Sequence, residues 1–258
     1  MIDSHCHIND PAYLSDPKRY VLEATQNGVT SMLIVGYDLK SSKDAIRIAE
    51  SFDNVYAAIG IHPSDIKKMG EHDLKEIEQL TKSRKVIAIG EIGLDYHWDK
   101  TDELRENQIY YFKKQIDIAN KHNLPIVIHS RDAIGETLNV LKVHKVKCGG
   151  ILHCYSGSKE MINDFTKLGF VLGIGGTVTF KNAIEIKEVT KRVKPNEFVL
   201  ETDAPYLAPT PHRGELNHSK YLHLIASEVA SIRGEEVADV IKYADDNFKR
   251  IMKLWFKS

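Results

Sequence analysis

The sequence has no unbroken apolar run of about 18 residues, so no membrane-spanning helix is expected. Its opening, Met1-Ile2-Asp3-Ser4-His5, lacks the basic stretch and apolar centre of a secretory leader, so none is expected there. Cysteine is scarce: Cys6, Cys148 and Cys154 make an odd number with no Cys-x-x-Cys pair. That excludes a disulfide framework and a thiolate zinc knuckle, and a reducing, cytoplasmic setting is expected. Net charge is missing as well. Charged residues make up 28% of the chain, yet 35 Lys and Arg against 36 Asp and Glu leave a formal −1. A protein that holds duplex DNA along its length is usually basic, because neutralising phosphates drives its affinity. The balance argues against tight, extended nucleic-acid binding. It does not exclude an enzyme that grips one phosphate in a pocket, where a metal supplies the positive charge. No linker, low-complexity tract or charge block divides the chain, and no obligate protein partner is implied, so a single domain over residues 1–258 is expected.

What is present is a rhythm. Apolar runs rich in Val and Ile occur at 2–7, 31–35, 55–61, 86–90, 126–130, 149–153, 170–174 and 198–202. Continuous rather than alternating hydrophobicity suits parallel strands covered on both faces. Between them lie helical stripes: Ala45, Ile48, Ala49 and Phe52; Ile109, Phe112, Ile116 and Ala119; Met161, Phe165 and Leu168. Two more follow, on Leu222, Ile225, Ala226 and Val229, and on Val237, Val240, Ile241, Ala244, Phe248 and Ile251. Strand then helix, repeated over a chain of 258 residues, predicts an α/β protein of the (β/α)8 barrel type, with an open doubly wound sheet as the alternative. The first strand is followed by no Gly-x-Gly-x-x-Gly turn, which removes the usual reason to expect a dinucleotide fold.

In such a barrel, chemistry sits at the C-terminal ends of the strands. Here those ends carry potential metal ligands. The first run ends in His5-Cys6-His7, the third meets His62, the fourth runs into Glu91, the fifth and sixth reach His129 and His153, and the eighth runs into Asp203. His72, His122, His144 and His223 fall on helices or loops and read as surface or packing residues. Alternate residues of a strand share a face, so His5 and His7 can both face the barrel axis while Cys6 points to the helices. Asp3 shares their face and could orient a ligand from behind.

Glu91 lies between glycines in Ile89-Gly90-Glu91-Ile92-Gly93, where the backbone can bend and approach closely. A carboxylate there can bridge two cations, although capping the next helix would explain it too. Asp203 precedes Ala204-Pro205, where a strand must end, and Glu201 shares its face. Two acids so placed repel unless a cation compensates. The mixed imidazole and carboxylate set suits Zn, Mn, Fe or Co, and Mg if few imidazoles bind it. His5, His7, Glu91, His129, His153 and Asp203 exceed the needs of one catalytic zinc, so two divalent metals (Mg, Mn or Zn) sharing Glu91 are expected.

These segments carry a family resemblance. Asp3-Ser4-His5-Cys6-His7, Ile59-Gly60-Ile61-His62-Pro63, Gly90-Glu91-Ile92-Gly93-Leu94-Asp95-Tyr96, His129-Ser130-Arg131-Asp132-Ala133, His153-Cys154-Tyr155-Ser156-Gly157, Gly176-Thr177-Val178-Thr179-Phe180-Lys181-Asn182 and Glu201-Thr202-Asp203-Ala204-Pro205-Tyr206-Leu207 run along nearly the whole chain. The sequence resembles the TatD family of metal-dependent deoxyribonucleases, within the amidohydrolase-like barrels. The resemblance implies one metal on His5, His7, Glu91 and Asp203, and another on Glu91, His129 and His153. It implies His62 beside the scissile phosphate or the attacking water. It also implies a single-stranded DNA substrate, or DNA ends, trimmed in the 3′–5′ sense. Arg213-Gly214-Glu215-Leu216-Asn217 fits a family segment, but His218 and Ser219 replace the acid and proline expected next, which puts the substrate contacts of that loop in doubt.

The expected catalytic residues are Asp203, accepting or steering the proton of a metal-activated water, His62, stabilising phosphate oxygens or assisting the leaving group, and Glu91, joining the metals. Arg213 could hold a neighbouring phosphate, and Tyr96, Trp98 and Tyr155 could stack on bases at the mouth. Two other readings stand beside this one: hydrolysis of a small amide, lactone or ester, and a metal-stabilised binding protein without catalysis. Relatives in the first class bridge their metals with a modified lysine, where this chain offers Glu91.

Overall fold

Val-, Ile- and Leu-rich segments form eight strands: β1 (Ile2–Cys6), β2 (Ser31–Val35), β3 (Val55–Ile59), β4 (Val86–Asp95), β5 (Ile126–Arg131), β6 (Gly150–Leu152), β7 (Phe170–Ile174) and β8 (Phe198–Leu200). The computed structural model describes residues 1–98 and 100–254, so the domain expected over 1–258 is followed as far as Leu254. The strands pair in sequence order and all are parallel. Two backbone bonds draw the first and last together: His7 N–H donates to the Ala204 carbonyl (2.7 Å) and Asp203 N–H to that of His5 (2.9 Å). The result is the expected (β/α)8 barrel. Between and after the strands run α1 (Pro17–Gln26), α2 (Leu39–Ala49), α3 (Glu71–Leu80), α4 (Asp102–His122), α5 (Ile134–Val143), α6 (Ile162–Thr166), α7 (Ile184–Arg192), α8 (Leu222–Arg233) and α9 (Val237–Ile251). Among the described residues no helix is long and apolar enough to cross a membrane.

The core has two layers. An outer one joins strands to helices and includes Ile34, Ile59, Ile89, Phe112, Ile128 and Leu172. An inner one fills the barrel with Ile2, Leu33, Val35, Ala58, Val127 and Val199 and is completed by Phe248, Ile251 and Met252. These last three come from α9 and the turn after it. They cover the end where the strands begin, because Asn247 donates to the Phe198 carbonyl (2.8 Å) and Asp245 accepts from Ile2 N–H (2.7 Å). With that end covered, the opposite mouth is left for a site. The helical stripes hold, with three differences: Phe52 lies past the end of α2, Val237 is exposed, and Met161 and Leu168 lie beyond the short α6.

Several strands end earlier than the apolar runs, at Cys6, Ile59, Leu152 and Leu200, so His7, His62, His153 and Asp203 stand on the connections just past them. The fourth does the reverse. It runs through Glu91 to Asp95, because its register against β5 shifts between Ile89 and Ile92 and pairing resumes from Ile92–Ile128 to Asp95–Arg131. Such irregularities re-aim side chains near active sites. Glu91 therefore sits inside a strand and does not cap a helix. A second shift lies between Asp3 and Cys6. Asp3 consequently does not support an imidazole. Its carboxylate accepts from Thr202 N–H (2.9 Å), Thr202 Oγ1 (2.6 Å) and, more distantly, His5 N–H (3.4 Å), which ties the backbone of β1 to the segment after β8.

Candidate metal centre

The two seam bonds set His5, His7 and Asp203 side by side. His7 Nδ1–H donates to the Val35 carbonyl (2.9 Å), which leaves Nε2 to face the barrel axis. There it lies 3.1 Å from His5 Nε2 and 3.4 Å from Asp203 Oδ1. Asp203 adopts the left-handed conformation (φ 57°), which turns its carboxylate inward over the histidines. Glu91 enters from β4, buried, with its backbone N–H on the Gly36 carbonyl (2.7 Å). Its two oxygens face different partners. Oε2 is 3.6 Å from Nε2 of both His5 and His7, while Oε1 is 2.9 Å from His129 Nδ1 and 3.9 Å from His153 Nε2.

His153 stacks on His5 (ring centroids 3.6 Å apart) and its Nε2 lies 3.6 Å from Asp203 Oδ1. Behind it, Glu201 Oε1 is 3.0 Å from Nδ1 and accepts the Cys154 N–H (2.6 Å). Glu201 and Asp203 thus do not stand together as a repelling pair: one backs His153 while the other faces the centre. Gly173 makes room for this, since a Cβ there would collide with the Glu201 carboxylate.

All six sequence-derived ligand candidates therefore meet in one place. Ligating atoms of His5, His7 and Asp203, and separately of His5, Glu91 and His153, lie within 4.8 Å of one another. A third such group, His62, Asp95 and His129, adds a carboxylate absent from the expected set. Asp95 Oδ2 is 3.1 Å from His129 Nε2, so His129 is held between two acids. The signal was available: Asp95 is four residues past Glu91, and period two puts both on one face of an extended strand. His62 caps the turn Pro63–Lys68, its Nδ1 accepting from Ser64 N–H (3.1 Å), and its Nε2 reaches to 3.9 Å from Glu91 Oε1.

The electrostatics fit a cation. Burial alone would raise the Glu91 and Asp203 carboxyls, yet the surrounding histidines hold both below the usual range. Burial would lower His153, but Glu201 and Asp203 push it up to about 10. His7 and His129 are also raised against burial, His7 by Asp203 and Glu91, His129 by Asp95 and Glu91. Each of these shifts favours positive charge on the imidazoles beside the two buried carboxylates. A divalent cation supplies the same charge and needs those nitrogens bare. His5 and His62 move the other way: burial and neighbouring imidazoles lower both, His62 to about 3.

Above the cluster opens a cavity of about 420 Å³. Trp98 stands on its rim, 72% exposed. Tyr37, Tyr206 and Arg131 also line it. Arg131 and Tyr206 lie within the family segments, but the sequence assigned none of the three a role. Tyr155 does not reach the mouth. It is buried, packed edge-on to Phe165, with its hydroxyl on the Ser158 carbonyl (2.9 Å), because an apolar ring two residues past a buried strand turns into the outer core. Tyr96 is half-buried beneath the Arg105 guanidinium (4.6 Å). Arg213 is exposed and lies over the Phe180 ring (4.4 Å), outside the residues that line the cavity. The buried member of that loop is Asn217, which donates to the Thr202 (2.7 Å) and Tyr206 (2.6 Å) carbonyls and so braces the Asp203 turn. His218, in the acid's expected place, is buried and faces Glu23 (3.3 Å). The four histidines read as surface residues face Glu76 (His72), Glu78 (His122), Asp117 (His144) and the Lys220 carbonyl (His223).

Imidazoles and carboxylates thus converge at the strand ends of a (β/α)8 barrel, the place where a metal-dependent hydrolase of this fold holds its cations. Residues 2–253 match the family described as "TatD related DNase". The chain is 38% identical to the "Uncharacterized metal-dependent hydrolase YabD" of Bacillus subtilis, over 98% of this chain and 99% of that one. It is 29% identical to the "3'-5' ssDNA/RNA exonuclease TatD" of Pantoea vagans, over 98% and 100% of the two chains. The crystal structure of YjjV, a TatD homologue from Escherichia coli K12, superposes with a TM-score of 0.92 at 28% identity, covering 97% of each chain. The protein belongs to the TatD family of metal-dependent hydrolases.

Proposed function

We propose that this protein is a phosphodiesterase that uses two divalent cations to trim single-stranded DNA from an end. The observation that carries the reading is Glu91: Oε2 is 3.6 Å from Nε2 of both His5 and His7, and Oε1 is 2.9 Å from His129. One carboxylate so placed serves two sites. The proposed division puts one cation on His5, His7, Glu91 and Asp203, and the other on Glu91, His129 and His153. The cations, when bound, supply a water of lowered pKa and neutralise phosphoryl oxygens. The mixed donor set is compatible with Zn or Mn, and with Mg at the site richer in carboxylate.

The chain's own residues do the rest. Asp203 Oδ1 faces the centre from the mouth and is placed to take the water's proton. His62 is neutral over the working range, and its Nδ1 is engaged by Ser64, so Nε2 carries a hydrogen directed at the site. A neutral donor there suits a phosphate oxygen or the departing alkoxide. The near-zero net charge fits an enzyme that engages a few nucleotides rather than a long duplex. The Pantoea relative's name supports the choice of nucleic acid and of end-trimming.

The test is digestion of end-labelled single-stranded DNA by metal-stripped protein restored separately with Mg, Mn and Zn, with Asp203→Asn as control. Metal-dependent release of nucleotides, lost in the variant, is expected. Protein shown to carry two metals that cleaves no strand with any of them would move the reading to small amides, lactones or esters.

A further inference from the structure

Arg131, at the end of β5, borders more than the metal centre. It lines the cavity above the cluster, and it also lines a neighbouring hollow of about 430 Å³ whose wall includes Tyr96, Ile134 and Ser156 and the acids Asp132 and Glu136. It forms the wall between them. Its guanidinium makes no ion pair among the described residues. The nearby acids are engaged elsewhere, Asp132 by His97 (2.9 Å) and Asp95 by His129 (3.1 Å). What Arg131 does face is the exposed indole of Trp98, 6.0 Å from ring centroid to Cζ. Another part of the cavity wall carries the opposite charge: Asp65, with Tyr37 on the same wall and the Lys68 ammonium 3.9 Å from its carboxylate. Within the cavity above the metal centre, Arg131 therefore offers a phosphate a cation, where Asp65 offers repulsion.

We propose that Arg131 and Trp98 form a nucleotide subsite next to the reacting phosphate. Its ligand is the adjoining nucleotide of a single strand. The guanidinium holds the phosphate in a fork, and the indole stacks on the base. The side facing Asp65 accommodates the terminal group alone, so the enzyme engages a strand from one end. This rests on the phosphodiesterase reading, and it gives Arg131 the phosphate-holding role that the sequence suggested for Arg213.

Arg131→Ala removes only the side chain; the backbone carbonyl that accepts Tyr96 N–H (2.9 Å) remains. The metal-restored variant is compared with wild type on a thymidine octanucleotide and on bis(p-nitrophenyl) phosphate, which has one phosphate. The expected result is a KM for the octanucleotide raised about tenfold or more. The preference in kcat/KM for octanucleotide over small diester should fall by a similar factor. The slope of log affinity against log salt should become shallower by about 0.7, the loss of one single-strand phosphate contact. Arg131→Lys should restore the slope. Trp98→Ala should weaken octanucleotide binding about tenfold. An Arg131→Ala protein with wild-type KM and salt slope, in a preparation where wild type digests the octanucleotide, would overturn the subsite and leave the function standing. A wild type that hydrolyses neither substrate would overturn the function, and the subsite with it.

Discussion

Asp203 donates its backbone N–H to the carbonyl of His5 (2.9 Å), across the seam where the last segment of the barrel meets the first. One hydrogen bond therefore joins barrel closure to the site. It sets the Asp203 carboxylate over the His5 and His7 rings (Oδ1 to Nε2 3.8 and 3.4 Å).

Asp203→Asn keeps the backbone bond and the shape while removing the charge and the basic oxygen. Turnover should fall by about 10²–10⁴, the usual contribution of a placed proton acceptor. The far-ultraviolet circular dichroism should be unchanged, and a variant that turns over at the wild-type rate would remove this residue from the mechanism.

Asp3 holds the same seam from behind, through Thr202 N–H and Oγ1. Asp3→Ala leaves both donors buried without acceptors. Each unsatisfied group costs about 1–3 kcal/mol, so a loss of about 2–6 kcal/mol is expected in urea denaturation. Metal affinity should weaken as well, because the Asp203 turn loses its support.

His62→Ala should lower kcat about 10²-fold while metal content by elemental analysis stays at the wild-type value. The His62 ring, lowered to about 3 by burial and His129, is neutral above that value. The rate therefore should show no acid limb from His62 near its ordinary pKa of about 6.5. A limb that disappears in the alanine variant would show that His62 works in its charged form.

The pH dependence of metal binding follows from His153. Burial opposes its charge, but Glu201 and Asp203 raise it to about 10. A raised pKa contributes stability that is complete below the unfolded value of about 6.5 and lost as pH climbs through about 10. A bound cation replaces that proton. The rise in melting temperature on adding Zn should thus be larger at about pH 8.5 than at about pH 6, and each metal bound should release protons at the lower pH. Calorimetry in two buffers of different ionisation enthalpy checks the proton count.

Much of this was legible in the sequence because a barrel turns position along a strand into position in space. His5, His7, Glu91, His129, His153 and Asp203 each follow an apolar run, and all strand ends point to one mouth. What was not legible depended on register and packing. The shift between Ile89 and Ile92 carries β4 on to Asp95: the even spacing from Glu91 hints at that residue, but nothing local tells that the strand continues so far. The shift between Asp3 and Cys6 likewise turned Asp3 from an imidazole partner into a seam tie. Tyr155 and Trp98 looked alike as aromatics after strand ends, yet one is buried against Phe165 and the other stands 72% exposed. Arg213 and Arg131 are both loop-side cations in family segments. Only the folded chain shows that Arg213 lies on Phe180 and that Arg131 lines the cavity.

The most direct test of the central claim is anomalous diffraction from crystals soaked in manganese. The account predicts two peaks about 3.5–4 Å apart, one beside Glu91 Oε2 among His5, His7 and Asp203, the other beside Oε1 towards His129 and His153. A single peak, or a pair that does not share Glu91, would contradict it.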